Sequence, residues 1–171
     1  MRGPQVSPRY VTRTEANAAG KIADGETVWH RVGDVGYLDE AERFWYCGRK
    51  SQRVETTAGP LFTECVEAIF NTHPAVARTA LVGVGPSGRQ TPVVICQPTG
   101  EIMYCGGRPV SKHNDHRLVR ELRELAASHE LTRGIEHFRL RNSLPVDIRH
   151  NSKINREALA FWAAKQFPEL A

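Results

Sequence analysis

Between Val76 and Cys96 the chain carries two β-rich apolar runs, Val76 to Val84 and Thr91 to Cys96, split by the turn sequence Gly85-Pro86-Ser87-Gly88-Arg89. Runs bounded in this way read as the arms of a hairpin. Their near-continuous apolar character demands cover on both faces or a central place in a sheet. The neighbouring segments offer that cover. Thr63 is placed to cap a helix through Asn71, with Val66, Ile69 and Phe70 on its buried side and His73-Pro74 ending it. Asp115 is placed to cap a second helix to about Glu130. There Leu118, Leu122 and Leu125 recur at helical spacing, with Arg117, Arg120, Arg123 and Glu124 facing out. Ile135 to Leu140 alternates as a short strand whose packed residues are Ile135, His137 and Phe138. Arg156 to Gln166 reads as a last helix with the apolar stripe Leu159, Trp162 and Ala163. The glycine-rich, polar stretch Pro98 to Asn114 reads as a loop. The expected fold is therefore α+β, a short sheet flanked by helices.

The text before this unit is different. From Gly3 to about Lys50 it is turn-rich, with strand candidates only at Thr27 to His30 and Arg43 to Cys47. A stretch of that size with so little apolar mass buries too little surface to fold alone. Residues 1–50 are expected to be the β-rich tail of a larger body, and residues 51–171 a self-consistent α+β domain.

Composition narrows the functional classes. With 171 residues, 40% of them hydrophobic and 25% charged, the sequence is that of a globular protein. No apolar run approaches the roughly 20 residues of a membrane span, and Met1-Arg2-Gly3-Pro4 lacks the apolar core of a signal peptide, so no membrane span and a cytoplasmic location are expected. The net charge of +4 permits an anionic partner, but the arginines do not alternate with aromatics, which argues against nucleic acid. Cys47, Cys65, Cys96 and Cys105 are scattered, and His113 and His116 have no cysteine close enough in sequence to complete a ligand set. Free thiols and no metal site are expected.

Three positions suit the chemistry of a phosphate-bearing ligand. Asp34 stands between glycines in Gly33-Asp34-Val35-Gly36, where it is either a turn residue or a carboxylate that accepts hydrogen bonds from both hydroxyls of a ribose. Arg49 follows Gly48 at the end of the aromatic strand Phe44-Trp45-Tyr46. Its guanidinium is either solvated or aimed at a ribose oxygen or a phosphate. Trp45 and Tyr46 read as packing residues. Lys153 closes the proline-led loop Leu144 to Lys153, pinned by Pro145 before it and by Ile154, Leu159 and Trp162 after it. A compact cation presented this way stabilises negative charge developing on a carboxyl or phosphoryl oxygen. A surface lysine ahead of a helix is the competing account. Basic residues gather around it, at Arg139, Arg141, Arg149, His150 and Arg156, as either a phosphate-binding group or a solvated face.

Asp34, Arg49 and Lys153, in this order, resemble the C-terminal signature of the AMP-forming acyl-CoA synthetase superfamily, the adenylate-forming enzymes. The segment Trp29 to Asp39 resembles the ribose-binding motif, Gly48-Arg49 the pair at the interdomain hinge, and Leu144 to Lys153 the lysine loop. The strings Gly48 to Thr56, His73 to Val84 and Pro145 to Lys153 are most like the subgroup of bacterial olefin biosynthesis that forms β-lactones. The resemblance implies a small mobile C-terminal domain preceded by a remnant of the large one. It implies ATP with Mg²⁺ as reactants, and a long-chain fatty or β-hydroxy acid as substrate. It also implies an acyl adenylate that closes to a β-lactone or passes to coenzyme A. By the same resemblance Asp34 holds the ribose, Arg49 supports ribose or phosphate, and Lys153 neutralises charge during adenylation.

The departures are informative. Ser51 occupies the hinge position where most family members carry Asp or Lys, and Ser152 precedes the lysine in place of glycine. The family's phosphate loop, adenine pocket and acyl tunnel belong to a large N-terminal domain that nothing here matches. ATP and Mg²⁺ are thus expected to be held mainly by that domain. The implied partner is the missing domain or a related synthetase, and the chain by itself is expected to be inactive. The alternative is a non-catalytic binding module that reuses the small domain.

Overall fold

The computed structural model describes residues 1–100, 102–105, 108–111, 115–147 and 150–170. Side chains are described throughout except at 102–105, 108–111, 115 and 150–152. The chain divides into two compact units, 1–46 and 47–171.

In the first unit α1 (Thr14–Gly20) leads into β1 (Lys21–Asp24), which pairs antiparallel with β2 (Thr27–His30) in the register Lys21↔His30 to Asp24↔Thr27. β3 (Asp34–Leu38) pairs with β4 (Phe44–Arg49), which runs on into the second unit. The β3–β4 turn is held by Asp39. Its carboxylate accepts from the backbone N–H groups of Ala41 and Arg43, from the Arg43 Nε and from the Trp45 indole N–H. Gly36 admits the partner strand, since a Cβ there would lie 2.3 Å from the Trp45 carbonyl oxygen. No residue of 1–46 is buried. Trp45 and Tyr46 are therefore not the packing residues expected of them. They are 49% and 47% exposed, and Trp45 stacks on Tyr37 with ring centroids 6.5 Å apart.

The second unit opens with a 3-10 turn, Lys50–Gln52, and the short pair β5 (Val54–Thr56) and β6 (Gly59–Leu61). Then follow α2 (Thr63–Phe70), β7 (Val76–Val84), β8 (Thr91–Pro98), β9 (Ile102–Cys105), β10 (Arg108–Ser111), α3 (Asp115–Ser128), β11 (His137–Leu140), β12 (Val146–Asp147), β13 (His150–Ile154) and α4 (Arg156–Gln166). The central sheet has the order β11-β8-β7. β7 and β8 form the expected hairpin, and β11 lies parallel to β8 on its other edge.

Why the two runs are apolar almost throughout is now apparent. Successive side chains of a strand point to opposite faces, and here both faces are covered. Leu81, Val94 and Cys96 pack with Val66 and Phe70 of α2 and Leu118 and Leu122 of α3. Ala80, Val82, Val84, Val93 and Ile95 pack with Leu159 and Ala163 of α4 and with Phe167. Burying side chains such as Phe70 and Phe138, whose rings meet edge to face at 5.4 Å, stabilises the fold by about 1.5–3 kcal/mol apiece.

Four expectations are corrected. Thr63 does not cap α2 but is its first residue, Phe62 standing at the cap, and the buried Thr63 hydroxyl has no hydrogen-bond partner among the described residues. The stretch 98–114 is not simply a loop, because β9 and β10 pair across it as an antiparallel hairpin. Short alternating segments so rich in glycine give little periodic signal. Ile135 precedes β11, although it is buried beside Phe138 as expected. Finally, Lys153 lies on strand β13 rather than in a loop. The caps proposed at Asp115, the ligand role weighed for His113 and the Arg149 and His150 side chains fall outside the described residues. Among those residues, no helix is long and apolar enough to cross a membrane.

Candidate functional site

Lys153 owes its place to two anchors. Upstream, β12 and β13 pair antiparallel with Val146 opposite Ile154, and the Asn155 N–H donates to the Pro145 carbonyl at 2.8 Å. Downstream, the Asn155 side chain caps α4 by accepting from the Ala158 N–H at 3.0 Å, which satisfies one of the free donors of the first turn. Ile154 packs toward the core of the α4 face while the neighbouring Lys153 is exposed, as strand alternation requires.

The exposed lysine borders a cleft of about 940 Å³ within the second unit. Ser51, Gln52, Gly83, Gln90, Asp147 and Asn155 are among the residues that line it with Lys153. Gly83 makes room for Gln90, since a Cβ there would come within 2.6 Å of its side-chain amide. Gln90 in turn fastens β5 to the sheet. Its Oε1 accepts from the Glu55 N–H at 2.9 Å, and its own N–H donates to the Glu55 carbonyl at 2.8 Å.

Arg156, which also lines the cleft, belongs to a buried ion pair that sequence reasoning missed. Arg156, the first residue of α4, donates to both carboxylate oxygens of Glu67 on α2, at 2.5 and 3.1 Å. Their side chains are only 12% and 8% exposed. Glu67 also accepts from the Leu81 N–H at 2.7 Å, and Arg156 donates further to the Leu81 carbonyl and, through Nε, to the Gln52 Oε1, both at 3.3 Å. Burial pushes the Glu67 carboxyl above its ordinary value, while Arg156 and then the Leu81 N–H oppose that shift. The signal in the sequence was an acidic residue on the buried face of α2, at the spacing of Thr63, Val66 and Phe70.

The remaining predicted positions are exposed. Ser51 sits in the 3-10 turn Lys50–Gln52 and shares the cleft with Lys153. Arg49 is the last residue of β4, directly before that turn. It follows Gly48, whose φ of +125° and contact with Thr63, 2.6 Å from an added Cβ to Oγ1, exclude a side chain. Asp34 opens β3 after Gly33 at φ +81° and belongs to the first unit. Among the described residues, three of the basic side chains near Lys153 in sequence have partners of their own. Arg139 stacks on Phe167 at 3.8 Å, Arg141 lies over Trp162 at 5.3 Å and Arg156 is committed to Glu67. Of the cysteines, Cys47 and Cys96 are buried and Cys65 partly so, all three as free thiols.

Against protein-family models the chain has no match. Among curated proteins it is 47% identical to the olefin β-lactone synthetase of Stenotrophomonas maltophilia, over an alignment covering 100% of this chain and 30% of that one. With the olefin β-lactone synthetase of Xanthomonas campestris the identity is also 47%, covering 97% and 29%. This chain belongs to the AMP-forming, adenylate-forming synthetase superfamily. It matches the C-terminal part of such enzymes and spans about 30% of the length of these curated relatives. Solved adenylate-forming enzymes share its fold. The amide bond synthetase of Marinactinospora thermotolerans superposes with a TM-score of 0.71 at 22% identity, covering 95% of this chain and 29% of that one. The o-succinylbenzoate coenzyme A synthetase of Bacillus subtilis, solved with ATP and magnesium ion, superposes at 0.68 and 23% identity, covering 92% and 29%. The α+β unit built on β7, β8 and β11 is thus the small C-terminal domain of an adenylate-forming enzyme.

Proposed function

We propose that the chain supplies the C-terminal part of an ATP-dependent ligase that converts a β-hydroxy fatty acid to its acyl adenylate and then to a β-lactone. The observation that carries this reading is the 47% identity to two olefin β-lactone synthetases across essentially the whole chain. The exposed lysine on β13 adds chemical support.

In the first step a carboxylate oxygen attacks the α-phosphorus of ATP, and pyrophosphate leaves. Negative charge shifts onto oxygens around the reacting centre, and the Lys153 ammonium, held on a strand between two anchors, is the group we assign to stabilise it. Asp34, acceptor-only and exposed at the start of β3, is assigned to the ribose hydroxyls, and Arg49 to ribose or phosphate oxygens. In the second step the β-hydroxyl oxygen of the same molecule attacks the acyl carbon. The ring ester forms as the bond to AMP breaks, and the hydroxyl proton is released. Transfer to coenzyme A is the competing second step. Mg²⁺ neutralises phosphate charge when bound. Among the described residues no group of three or more His, Cys, Asp or Glu side chains could hold a metal ion.

The reading divides labour. Residues 51–171 act as the mobile domain with Ser51 at its pivot, and the large domain supplies most of the ATP and acyl contacts. Positioning within about an ångström is required for such chemistry, so the chain by itself is inactive. The complete lack of buried residues in 1–46 supports this, because those exposed aromatics have no core of their own.

ATP–pyrophosphate exchange with a long-chain β-hydroxy acid tests it. The chain alone should give none, the chain with a separately produced large domain should exchange, and Lys153→Ala in that mixture should abolish it. Failure of every mixture, with the added domain folded and bound, would refute the catalytic reading and leave a binding module.

A further inference from the structure

The Arg156 guanidinium does more than neutralise Glu67. Its two terminal nitrogens are fixed to the core of the second unit, through both Glu67 oxygens and the Leu81 carbonyl. Its Nε donates elsewhere, to Gln52 in the turn Lys50–Gln52. One planar group therefore ties α2, β7 and the turn to the first residue of α4. Lys153 is three residues upstream, at most about 11 Å along the chain, with only Ile154 and the capping residue Asn155 between. Gln52, Arg156 and Lys153 line the same cleft. Stability alone does not call for this arrangement, because well-packed apolar residues replace buried ion pairs without loss in many proteins. The donor toward Gln52 is what an apolar pair would lack.

We propose that Arg156 is a positioning residue that fixes Lys153 relative to the turn Lys50–Gln52, and that the Gln52–Arg156 hydrogen bond transmits changes in that turn to the lysine strand. The inference rests on the reading of Lys153 as the group that meets the reacting charge. It gives Ser51 and its neighbours a mechanical route to the lysine. When the turn rearranges, Nε loses or regains its acceptor, and the junction of β13 with α4 loosens or tightens.

Two variants isolate the contact while leaving the pair with Glu67 intact. Gln52→Ala removes the acceptor, and Gln52→Glu keeps one. In the whole chain, hydrogen exchange of peptides spanning 150–155 should be at least threefold faster in Gln52→Ala, with β7 and β8 unchanged, and should return toward the parent rate in Gln52→Glu. Exchange in 150–155 that is unaltered by Gln52→Ala, or that rises equally in β7 and β8, overturns the proposal. In the mixture with the large domain, Gln52→Ala should lower kcat for ATP–pyrophosphate exchange about tenfold with KM for ATP changed less than twofold. Gln52→Glu should restore it. Parent-like kcat in Gln52→Ala would equally overturn the positioning role. An inactive parent mixture counts against the functional reading alone, and the exchange measurement on the chain still decides the inference.

Discussion

Replacing Glu67 by Gln changes one buried oxygen to an amide nitrogen and leaves the Arg156 guanidinium with a neutral partner in a site where the two side chains are 8% and 12% exposed. The geometry sets the scale of the loss. Two charge-assisted hydrogen bonds, at 2.5 and 3.1 Å, are weakened or reversed, and the Leu81 N–H stands to lose an acceptor at 2.7 Å. Breaking a buried pair by removing one partner costs about 3–5 kcal/mol, most of it the penalty of an uncompensated buried charge. For a folded unit of this size each kcal/mol shifts Tm by about 3–5 °C, so Glu67→Gln and Arg156→Met should each lower Tm by roughly 10–20 °C. The double variant Glu67→Leu/Arg156→Met removes both charges and fills the space with apolar atoms. It should lie within about 2 kcal/mol of the parent, an interaction energy of at least about 4 kcal/mol in the double-mutant cycle. Urea unfolding followed by circular dichroism, with unchanged slopes, gives these values. Single variants costing under about 1 kcal/mol, or a double variant as unstable as the two losses added, would refute the reasoning.

Thr63→Val should be neutral or stabilising by up to about 1 kcal/mol, because it removes a buried hydroxyl that has no partner among the described residues; a clear loss of stability in the same urea assay would mean that the hydroxyl is satisfied. Burial pushes the Cys96 thiol up to about 12. Burial and then the hydrogen bond with Cys47 push Cys65 up to about 11. Neither should react with a disulfide reagent at pH 8 until the chain is unfolded, and fast labelling of the native chain at either residue would contradict that. The Asp39 carboxyl is held below its ordinary value by the Trp45 indole N–H first and then by the Arg43 N–H. Its folded form therefore prefers to be ionised. Its contribution to the β3–β4 turn is complete above the ordinary carboxylate value and is lost as the pH falls through the lowered one. The indole N–H resonance of Trp45 should follow that acid transition and should be insensitive to it in Asp39→Asn.

Local sequence determined what depends on neighbours along the chain. The hairpin of β7 and β8 and the bounds of α4 were legible because burial imposes periods of 2 and 3.6 on residues within one element. The motif strings around Asp34, Arg49 and Lys153 were legible for the same reason, being short and contiguous, and they led to the superfamily that the whole-chain identity shows. Tertiary structure decided what depends on distant partners. Glu67 and Arg156 are 89 residues apart, and nothing local distinguishes a buried, paired arginine from a phosphate-binding or a solvated one. The exposure of Trp45 and Tyr46 was illegible because an aromatic strand calls for cover without saying which surface provides it. Lys153 read as a loop residue because Pro145 and the polar residues after it carry turn signals. Pairing of β13 with β12 makes it a strand residue, since backbone hydrogen bonding across a sheet depends on which segments meet and only the fold brings those two together.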